Sequence, residues 1–242
     1  MSNNLPRADP PISGSPPLSQ RVPRSNNTPL RIMPLGNSIT WGYLSTSGNG
    51  YRQPLLSLLS ANHTKIQYIG SQRSGNMTNN QNEGHPGATI SQIASYANLS
   101  LPQQPNLILM MAGTNDMAQD NQTATAPQRL GALIDECHNG VSKENGGTVI
   151  LVAQLTPAAD NGTESRIQAF NAQVPGVVDE RAKKGMKVLT VDMSQYVTVG
   201  DLKDGLHPSD EGYAKMAKAW YDGIGEAIGR GWIEAPVLIL GP

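Results

Sequence analysis

Cysteine is almost absent from this sequence, since Cys137 is the one cysteine in 242 residues. An intrachain disulfide is therefore impossible, and the packing of a hydrophobic core must supply the stability of the fold. Cys137 could act as a nucleophile, but its chain neighbour His138 points elsewhere on either a helix or a strand. We expect Cys137 to be a packed and chemically inert thiol.

Charge is also scarce, and the two signs nearly cancel. Charged residues make up 15% of the chain, and 18 Lys and Arg against 19 Asp and Glu give a formal net charge of −1. Proteins that bind nucleic acid or anionic membranes through electrostatics carry an excess of basic residues. We therefore predict neither a nucleic-acid partner nor a membrane partner.

Long hydrophobic runs are missing as well. No apolar stretch approaches the roughly 18 residues that a membrane-spanning helix needs, and the polar residues 1–9 do not form a signal peptide. Sequons of the Asn-X-Ser/Thr type begin at Asn26, Asn62, Asn76, Asn98, Asn121 and Asn161. Such sites are typical of a secreted protein whose leader has been removed. We predict secretion, with a cytoplasmic location as the alternative.

Proline is concentrated at the amino end of the chain. Residues 1–29 contain prolines at positions 6, 10, 11, 16, 17, 23 and 29, among Ser, Asn and Arg. A segment of this composition cannot bury a hydrophobic face. We predict a disordered tail or linker over residues 1–29 and a folded domain over residues 30–242. A PxxP-type ligand role for the tail is the less favoured interpretation.

From residue 30 onward, short apolar runs alternate with amphipathic segments. The predicted strands are residues 30–35, 65–70, 107–111, 148–153 and 187–192. The predicted helices are residues 51–61, 89–100, 126–138 and 166–184, followed by a final helix that Ser209 caps. This alternation predicts an α/β fold in which a parallel sheet carries helices on both faces. The apolar residues 235–240 are expected to pack back on the domain.

The same alternation of strands and helices occurs in nucleotide-binding domains. The glycines that follow the first predicted strand are Gly36, Gly42, Gly48 and Gly50. Their spacing matches neither the G-x-G-x-x-G pattern nor a P-loop. A zinc-type H-E-x-x-H motif and a cysteine pair are also missing, so we predict neither a cofactor nor a metal site.

The stretch over residues 31–41 reads RIMPLGNSITW. It begins in the predicted buried strand over residues 30–35, which breaks at Gly36 just before Ser38. Open parallel sheets place their chemistry at the carboxyl ends of strands, and a serine there can be a nucleophile if a base reaches it. The segment DGLHP, near the other end of the chain, supplies His207 as the base. Asp204, three residues earlier, can orient the imidazole. We therefore predict a catalytic triad of Ser38, His207 and Asp204.

Two further polar blocks follow other predicted strands and can supply hydrogen-bond donors. Gly87 can bring its backbone N–H close to a ligand because it has no Cβ. Asn115 can offer a side-chain amide. Acyl transfer needs such donors for the oxyanion that forms on the carbonyl oxygen.

Four segments resemble the blocks of SGNH hydrolases, the GDSL esterase superfamily, in the expected order: LGNSIT, GHPGATI, GTNDM and DGLHP. The longer stretches IMPLGNSITWG, NEGHPGATI and DGLHPSDEGYAKMA are similar to carbohydrate esterase family 3, which deacetylates xylan and related sugars. The likeness covers about residues 30–230. It implies a flavodoxin-like, three-layer α/β/α sandwich with a five-stranded parallel sheet. It also implies an oxyanion hole formed by the backbone N–H groups of Ser38 and Gly87 and by the Asn115 side chain.

The resemblance implies a serine esterase that removes acetyl groups from polysaccharides or oligosaccharides such as acetylated xylan. Trp41 and Tyr43, just after the nucleophile, could stack on a sugar ring, although either could equally be core, and His85 could line the pocket. We expect a monomer. One departure from the family is Asn37, where the signature has Asp. Asn keeps the hydrogen-bonding capacity and loses the charge.

Two other functions stay open. The same triad could act on lipid, thioester or aryl esters, although the loops offer little contiguous apolar surface and aromatic residues make up only 5% of the chain. A non-catalytic carbohydrate-binding module on this fold would be favoured by the loss of Ser38 or His207, and both residues are present.

Overall fold

A computed structural model describes residues 28–62 and 65–239. All but the last two residues of the predicted tail, 1–29, lie outside this described part. The strands are β1 (Leu30–Gly36), β2 (Ile66–Tyr68), β3 (Gln72–Arg73), β4 (Gln81–Gly84), β5 (Leu107–Met111), β6 (Val149–Gln154) and β7 (Val188–Asp192). The α-helices are α1 (Ser38–Trp41), α2 (Arg52–Ser60), α3 (Ile90–Ser100), α4 (Thr114–Ala118), α5 (Ala126–Asn139), α6 (Asn161–Asn171), α7 (Val174–Ala182) and α8 (Asp210–Gly229).

Strand β1 lies in the middle of one sheet. Its residues are nearly all buried, whichever face of the sheet their side chains point to. It pairs in parallel with β5 on one side. On its other side it pairs with β2 along its first residues and with β4 at its last two residues. Strands β6 and β7 continue the parallel order beyond β5, and β3 pairs antiparallel to β4 at the opposite edge. A parallel sheet of this kind needs helices on both faces, as predicted.

Helices cover the sheet in two layers. Helices α2 and α8 pack against each other, and α8 also contacts β6 and β7. The second layer is formed by α3, α5 and α7, which pack side by side. The buried side chains of α8 recur at helical spacing, and they include Tyr213, Met216, Trp220 and Ile224. The predicted three-layer α/β/α fold is confirmed.

The sheet has seven strands in the described part of the chain rather than the predicted five. The additional strands, β3 and β4, are polar, and β4 has the sequence QNEG. Asn82 and Glu83 are nevertheless fully buried, because neighbouring side chains and backbone groups satisfy their polar atoms. Hydrophobic periodicity therefore could not reveal this strand.

The helix predicted over residues 166–184 is in fact two helices. Helix α6 begins earlier, where the side chain of Asp160 accepts a hydrogen bond from the backbone N–H of Thr163 at 2.8 Å. The break before α7 coincides with Pro175 in the first turn of that helix. Proline has no N–H and restricts the residue before it, so a new helix begins there.

The carboxyl-terminal apolar segment packs back only in part. The backbone carbonyl of Val237 accepts a hydrogen bond from Arg31 at 2.9 Å, and Ile233 is buried. Leu238 is 85% exposed and Ile239 is 52% exposed, so the side chains predicted to pack on the domain face solvent instead. Residue 240 lies outside the described part.

Cys137 is buried on α5, and burial raises the pKa of its thiol, which favours the unreactive protonated form. Within residues 28–62 and 65–239, none of the helices combines the length and the apolar character that crossing a membrane requires.

Candidate active site

Three neighbouring strands end level with one another at the edge of the sheet where the predicted site lies. Gly36, the last residue of β1, pairs with Gly84 at the end of β4 and with Met111 at the end of β5. The residues that follow these strands therefore begin at the same edge. Ser38, Gly87 and Asn115 each follow a different one of these strands by two to four residues.

Ser38 is the first residue of the short helix α1 and is only 6% exposed. Asn37 precedes this helix, and its Oδ1 accepts a hydrogen bond from the backbone N–H of Ile39 at 3.0 Å. The first N–H groups of a helix have no intrahelical acceptor. The backbone N–H of Ser38 is thus of the type that can donate to a ligand.

His207 and Asp204 lie on a loop that is closed at its base. The N–H of Lys203 donates to the carbonyl of His207 at 2.8 Å, and the N–H of Ser209 donates to the carbonyl of Asp201 at 2.8 Å. Within the loop, Asp204 Oδ1 accepts from the backbone N–H groups of Leu206 at 3.0 Å and His207 at 2.7 Å. The carboxylate of Asp204 is thereby held in one orientation.

The three residues of the predicted triad form a continuous chain of hydrogen bonds. Ser38 Oγ lies 2.9 Å from His207 Nε2. His207 Nδ1 lies 2.9 Å from Asp204 Oδ2. This sequence of hydroxyl, imidazole and carboxylate is the arrangement that activates a serine nucleophile, because the imidazole can take the hydroxyl proton while the carboxylate orients the ring.

The environment of Asp204 favours its ionised form. Partial burial would raise the pKa of this carboxyl group, but the hydrogen bonds from the backbone and side chain of His207 and from the backbone of Leu206 outweigh it. The pKa of Asp204 is consequently held below its ordinary value. Asp204 can therefore accept the Nδ1 proton of His207 in a hydrogen bond over a wide range of pH.

The turn that carries Gly87 and the helix that carries Asn115, the two segments predicted to supply oxyanion donors, are hydrogen-bonded to each other. Gly87 has φ = +81°, a backbone conformation that favours glycine. One amide hydrogen of Asn115 donates to the carbonyl of Ala88 at 2.8 Å, which leaves a second hydrogen for a ligand. The next residue, Asp116, accepts from the N–H of Ile90 at 3.0 Å and from Arg129 at 2.6 Å. The Gly87 turn and the Asn115 helix are thus held together by two independent contacts.

The three residues predicted to contact substrate have different surroundings. The Tyr43 ring meets the His207 ring edge-on, with centroids 4.8 Å apart, and Tyr43 is 44% exposed. His85 lines a cavity of about 250 Å³ together with Pro86, Gly87, Ala88, Gln92 and Tyr96. Trp41 contributes its backbone carbonyl as an acceptor for Ser74 and Arg52. Tyr43 and His85 thus lie beside the predicted site, whereas the backbone carbonyl of Trp41 binds the supporting structure.

The loop that carries Tyr43 is tied to the amino end of α8. The hydroxyl of Tyr213 donates to the carbonyl of Tyr43 at 2.7 Å. Asp210 accepts from the backbone N–H of Thr46 at 2.9 Å and from its hydroxyl at 2.5 Å. These bonds connect the segment after Ser38 to the helix that follows His207.

Asn37, the departure from the family signature, is fully buried. Its Oδ1 caps α1, but its Nδ2 has no hydrogen-bond partner within the described residues. A buried amide hydrogen without an acceptor is costly. With Asn at position 37 in place of the family's Asp, an oxygen still caps α1, but the Nδ2 of Asn37 is left without a partner next to Ser38.

Arg52 is a supporting residue that the sequence did not single out. It is fully buried, and the hydrogen-bond partners of its guanidinium in the described part of the chain are carbonyl and hydroxyl oxygens. Its guanidinium donates to the carbonyls of Trp41, Gly48, Ser74 and Asn80 and to the hydroxyl of Ser74. Burial lowers the pKa of Arg52. This side chain joins the segment after Ser38 to the loop before β4.

Over residues 28–62 and 65–239, no three or more His, Cys, Asp and Glu side chains are grouped so that they could hold a metal ion.

Comparison with known proteins defines the class of this domain. A model described as the GDSL-like Lipase/Acylhydrolase family matches residues 35–215. Because the match covers most of the chain, the chain belongs to this family, and the domain is a carboxylic ester hydrolase by class.

The more particular resemblance is to carbohydrate esterase family 3. A solved family 3 carbohydrate esterase from Clostridium thermocellum is 32% identical, with a TM-score of 0.71 over 82% of this chain and 98% of that chain. The resemblance predicted from the sequence blocks is therefore confirmed. An acetylxylan esterase from Geobacillus stearothermophilus is 17% identical, with a TM-score of 0.65 over 84% of this chain and 97% of that chain, and it shares the fold.

A curated relative is considerably longer than this chain. The multidomain esterase of Ruminococcus flavefaciens is 25% identical over an alignment of 235 residues, and the alignment covers 86% of this chain and 30% of that protein. The chain thus spans less than a third of the length of this relative.

Proposed function

We propose that this protein is a serine esterase that hydrolyses acetyl esters of carbohydrates, such as acetylated xylan, through Ser38, His207 and Asp204. The observation that carries the proposal is the hydrogen-bonded chain from Ser38 Oγ through His207 to Asp204, with both contacts at 2.9 Å. The carbohydrate substrate is supported by the family 3 carbohydrate esterase that is 32% identical over nearly its whole length.

In the first half of the reaction, His207 Nε2 takes the proton of Ser38 as Oγ attacks the carbonyl carbon of the acetyl ester. The negative charge that develops on the carbonyl oxygen is stabilised by the N–H groups of Ser38 and Gly87 and by the free amide hydrogen of Asn115. The intermediate collapses when the bond to the sugar oxygen breaks. His207 donates its proton to that oxygen, and the sugar leaves as an alcohol.

In the second half, water attacks the acetyl group on Ser38, and His207 takes a proton from this water. Collapse of the second intermediate breaks the bond to Oγ, which recovers its proton from His207, and acetate is released. Asp204 holds the imidazole with its proton on Nδ1 and stabilises the imidazolium in both halves. Acyl transfer by this route needs no cofactor.

The test is hydrolysis by purified wild type and Ser38→Ala on acetylated xylan, acetylated sugars and a series of longer acyl esters. We expect acetate release from the sugars to be far faster than hydrolysis of octanoyl esters. We expect Ser38→Ala to lose a factor on the order of 10³ or more in kcat without a change in fold. Ser57→Ala, on the exposed face of α2, is the matched control and should retain wild-type rates.

Each part of the proposal can fail separately. Turnover by Ser38→Ala close to that of wild type would exclude the serine mechanism. Equal rates on acetyl and octanoyl esters would assign the domain to lipid or other acyl esters instead. Binding of xylan without hydrolysis of any ester would support the carbohydrate-binding module. Secretion and the monomeric state stay predictions.

A further inference from the structure

The cavity lined by His85 lies beside the turn that carries Gly87. The backbone N–H of His85 donates to the carbonyl of Gly36 at 3.0 Å, which ties the start of this turn to the strand that leads to Ser38. A Cβ at Gly87 would meet no atom within 4 Å, so this residue borders open space. A molecule that reaches Gly87 therefore meets His85 as part of the same cavity wall.

His85 is held by a buried carboxylate. Glu83, at the end of β4, is fully buried, and each of its oxygens accepts two hydrogen bonds. Oε1 accepts from the Ser71 hydroxyl at 2.7 Å and lies 2.5 Å from His85 Nε2. Oε2 accepts from the Ser71 backbone N–H at 2.8 Å and from the Ser100 hydroxyl. All four acceptor positions of the carboxylate are occupied, so Glu83 has no position left from which to donate.

This arrangement determines where the proton of His85 lies. Because Glu83 only accepts, the bond between them requires a proton on His85 Nε2. A neutral imidazole with its proton on Nε2 has a lone pair on Nδ1. This nitrogen has no hydrogen-bond partner among the described residues. Nδ1 is thus the one ring nitrogen of His85 left to bind a ligand, and it accepts a hydrogen bond when the imidazole is neutral.

The orientation of the imidazole is fixed a second time by stacking. The His85 ring lies on the Tyr96 ring, with centroids 3.7 Å apart and planes 10° from parallel. An acceptor that is fixed in advance binds a hydroxyl with little loss of conformational freedom. Burying a carboxylate to hold one imidazole is costly, so the fold uses a strong restraint at this position.

We propose that His85 contacts the substrate and that its Nδ1 accepts a hydrogen bond from a free hydroxyl of the sugar that bears the acetyl group. This inference rests on the proposed function and adds a determinant of specificity to it. His85 distinguishes a hydroxyl-bearing substrate from an acetyl ester without hydroxyl groups. The catalytic steps at Ser38 do not involve it.

The experiment compares two substrates in wild type and His85→Phe. One substrate is a partly acetylated xylo-oligosaccharide with free hydroxyls, and the other is p-nitrophenyl acetate, which has none. Phe keeps a ring that can stack on Tyr96 and removes the acceptor. We expect kcat/KM on the oligosaccharide to fall about 5- to 10-fold, as for the loss of one hydrogen bond, mostly through a higher KM. The value on p-nitrophenyl acetate should stay within about twofold of wild type.

Two controls keep the result interpretable. His138→Phe makes the same change on α5, outside the site, and should leave kcat/KM on both substrates unchanged. Loss of the bond to Glu83 could impair the folding of His85→Phe, which circular dichroism and thermal melting would detect. In that case His85→Lys, which keeps a donor for Glu83 and has no acceptor, is measured in the same way.

Three outcomes would overturn the inference. Equal losses on both substrates would mean that His85 only positions the Gly87 turn, and unchanged kinetics on both would mean that it contacts nothing. If wild type hydrolyses p-nitrophenyl acetate but releases no acetate from any sugar, the proposed function fails and this inference fails with it. The first two outcomes leave the proposed function intact.

Discussion

The structure makes a specific prediction for Asp204→Asn. Asp204 Oδ1 accepts two backbone N–H groups, whereas Oδ2 faces His207 Nδ1. An asparagine must keep its oxygen towards the two N–H groups, because its amide would otherwise point donors at donors. The amide nitrogen then lies next to Nδ1 and donates to it. The proton of His207 is consequently placed on Nε2, where it faces Ser38 and blocks proton transfer.

The expected loss is that of general base catalysis. This contribution is typically about 10²–10⁴ in rate, which corresponds to about 3–5 kcal/mol at 1.36 kcal/mol per factor of ten. We expect kcat of Asp204→Asn to fall within that range, while KM changes by less than about threefold because no substrate contact is removed. Steady-state kinetics on one acetylated sugar, with wild type measured in parallel, gives both numbers.

Two companion variants distinguish the effect of Asp204 on the tautomer of His207 from its effect on the stability of the loop. His207→Ala removes the base itself and should be at least as inactive as Asp204→Asn. Asp204→Ala loses the two backbone bonds and should melt at a lower temperature than Asp204→Asn, which keeps them. If Asp204→Asn retained more than about a tenth of wild-type kcat, the carboxylate would not control the tautomer of His207 and the reasoning would be refuted.

Two further predictions concern stability. Arg52→Met removes the donor from four carbonyls, one of them buried and three partly buried, so we expect a loss of about 3 kcal/mol and a melting temperature lower by roughly 6–12 °C. Arg73→Met on the exposed strand β3 is its control, and a melt of Arg52→Met within about 2 °C of wild type would contradict the prediction. For Asp201, hydrogen bonds from Lys215 and Thr198 lower the pKa to about 2. Because the folded-state pKa is depressed, its stabilisation is present above about pH 4 and is lost as the pH falls towards 2. The difference in melting temperature between wild type and Asp201→Asn should therefore shrink over that interval, and a constant difference from pH 5 to pH 2 would argue against it.

The parts of the fold that the sequence predicted well are those with a hydrophobic period. Strand β5 is a continuous apolar run, and its predicted bounds match those observed. Strand β4 was missed because its residues Asn82 and Glu83 are buried through hydrogen bonds rather than apolar contacts. Propensity and pattern contain no signal for polar burial of this kind, which depends on partners far away in the chain.

In the predicted site, too, the sequence indicated the residues that carry a local signal and missed those whose role depends on distant partners. Ser38, Asp204 and His207 could be proposed together because their residue types and their positions after predicted strands limit what they can do. The role of Arg52 depends on where carbonyls from four separate segments point, and no local pattern records those directions. The pair Glu83 and His85 had a partial signal, since the two residues lie two positions apart in a strand-ending block. The alternation of a strand would have suggested that they share a face.

The closed loop that carries both Asp204 and His207 gives the triad an asymmetric construction. Asp204 and His207 belong to one hydrogen-bonded loop, whereas Ser38 lies 169 positions away from His207 in the chain and meets it through a single 2.9 Å contact. The bonds from Asp210 to Thr46 and from Tyr213 to Tyr43 span the same contact. In the proposed mechanism, the position of Ser38 relative to His207 therefore depends on α8, because Asp210 and Tyr213 on this helix hold the segment that follows Ser38.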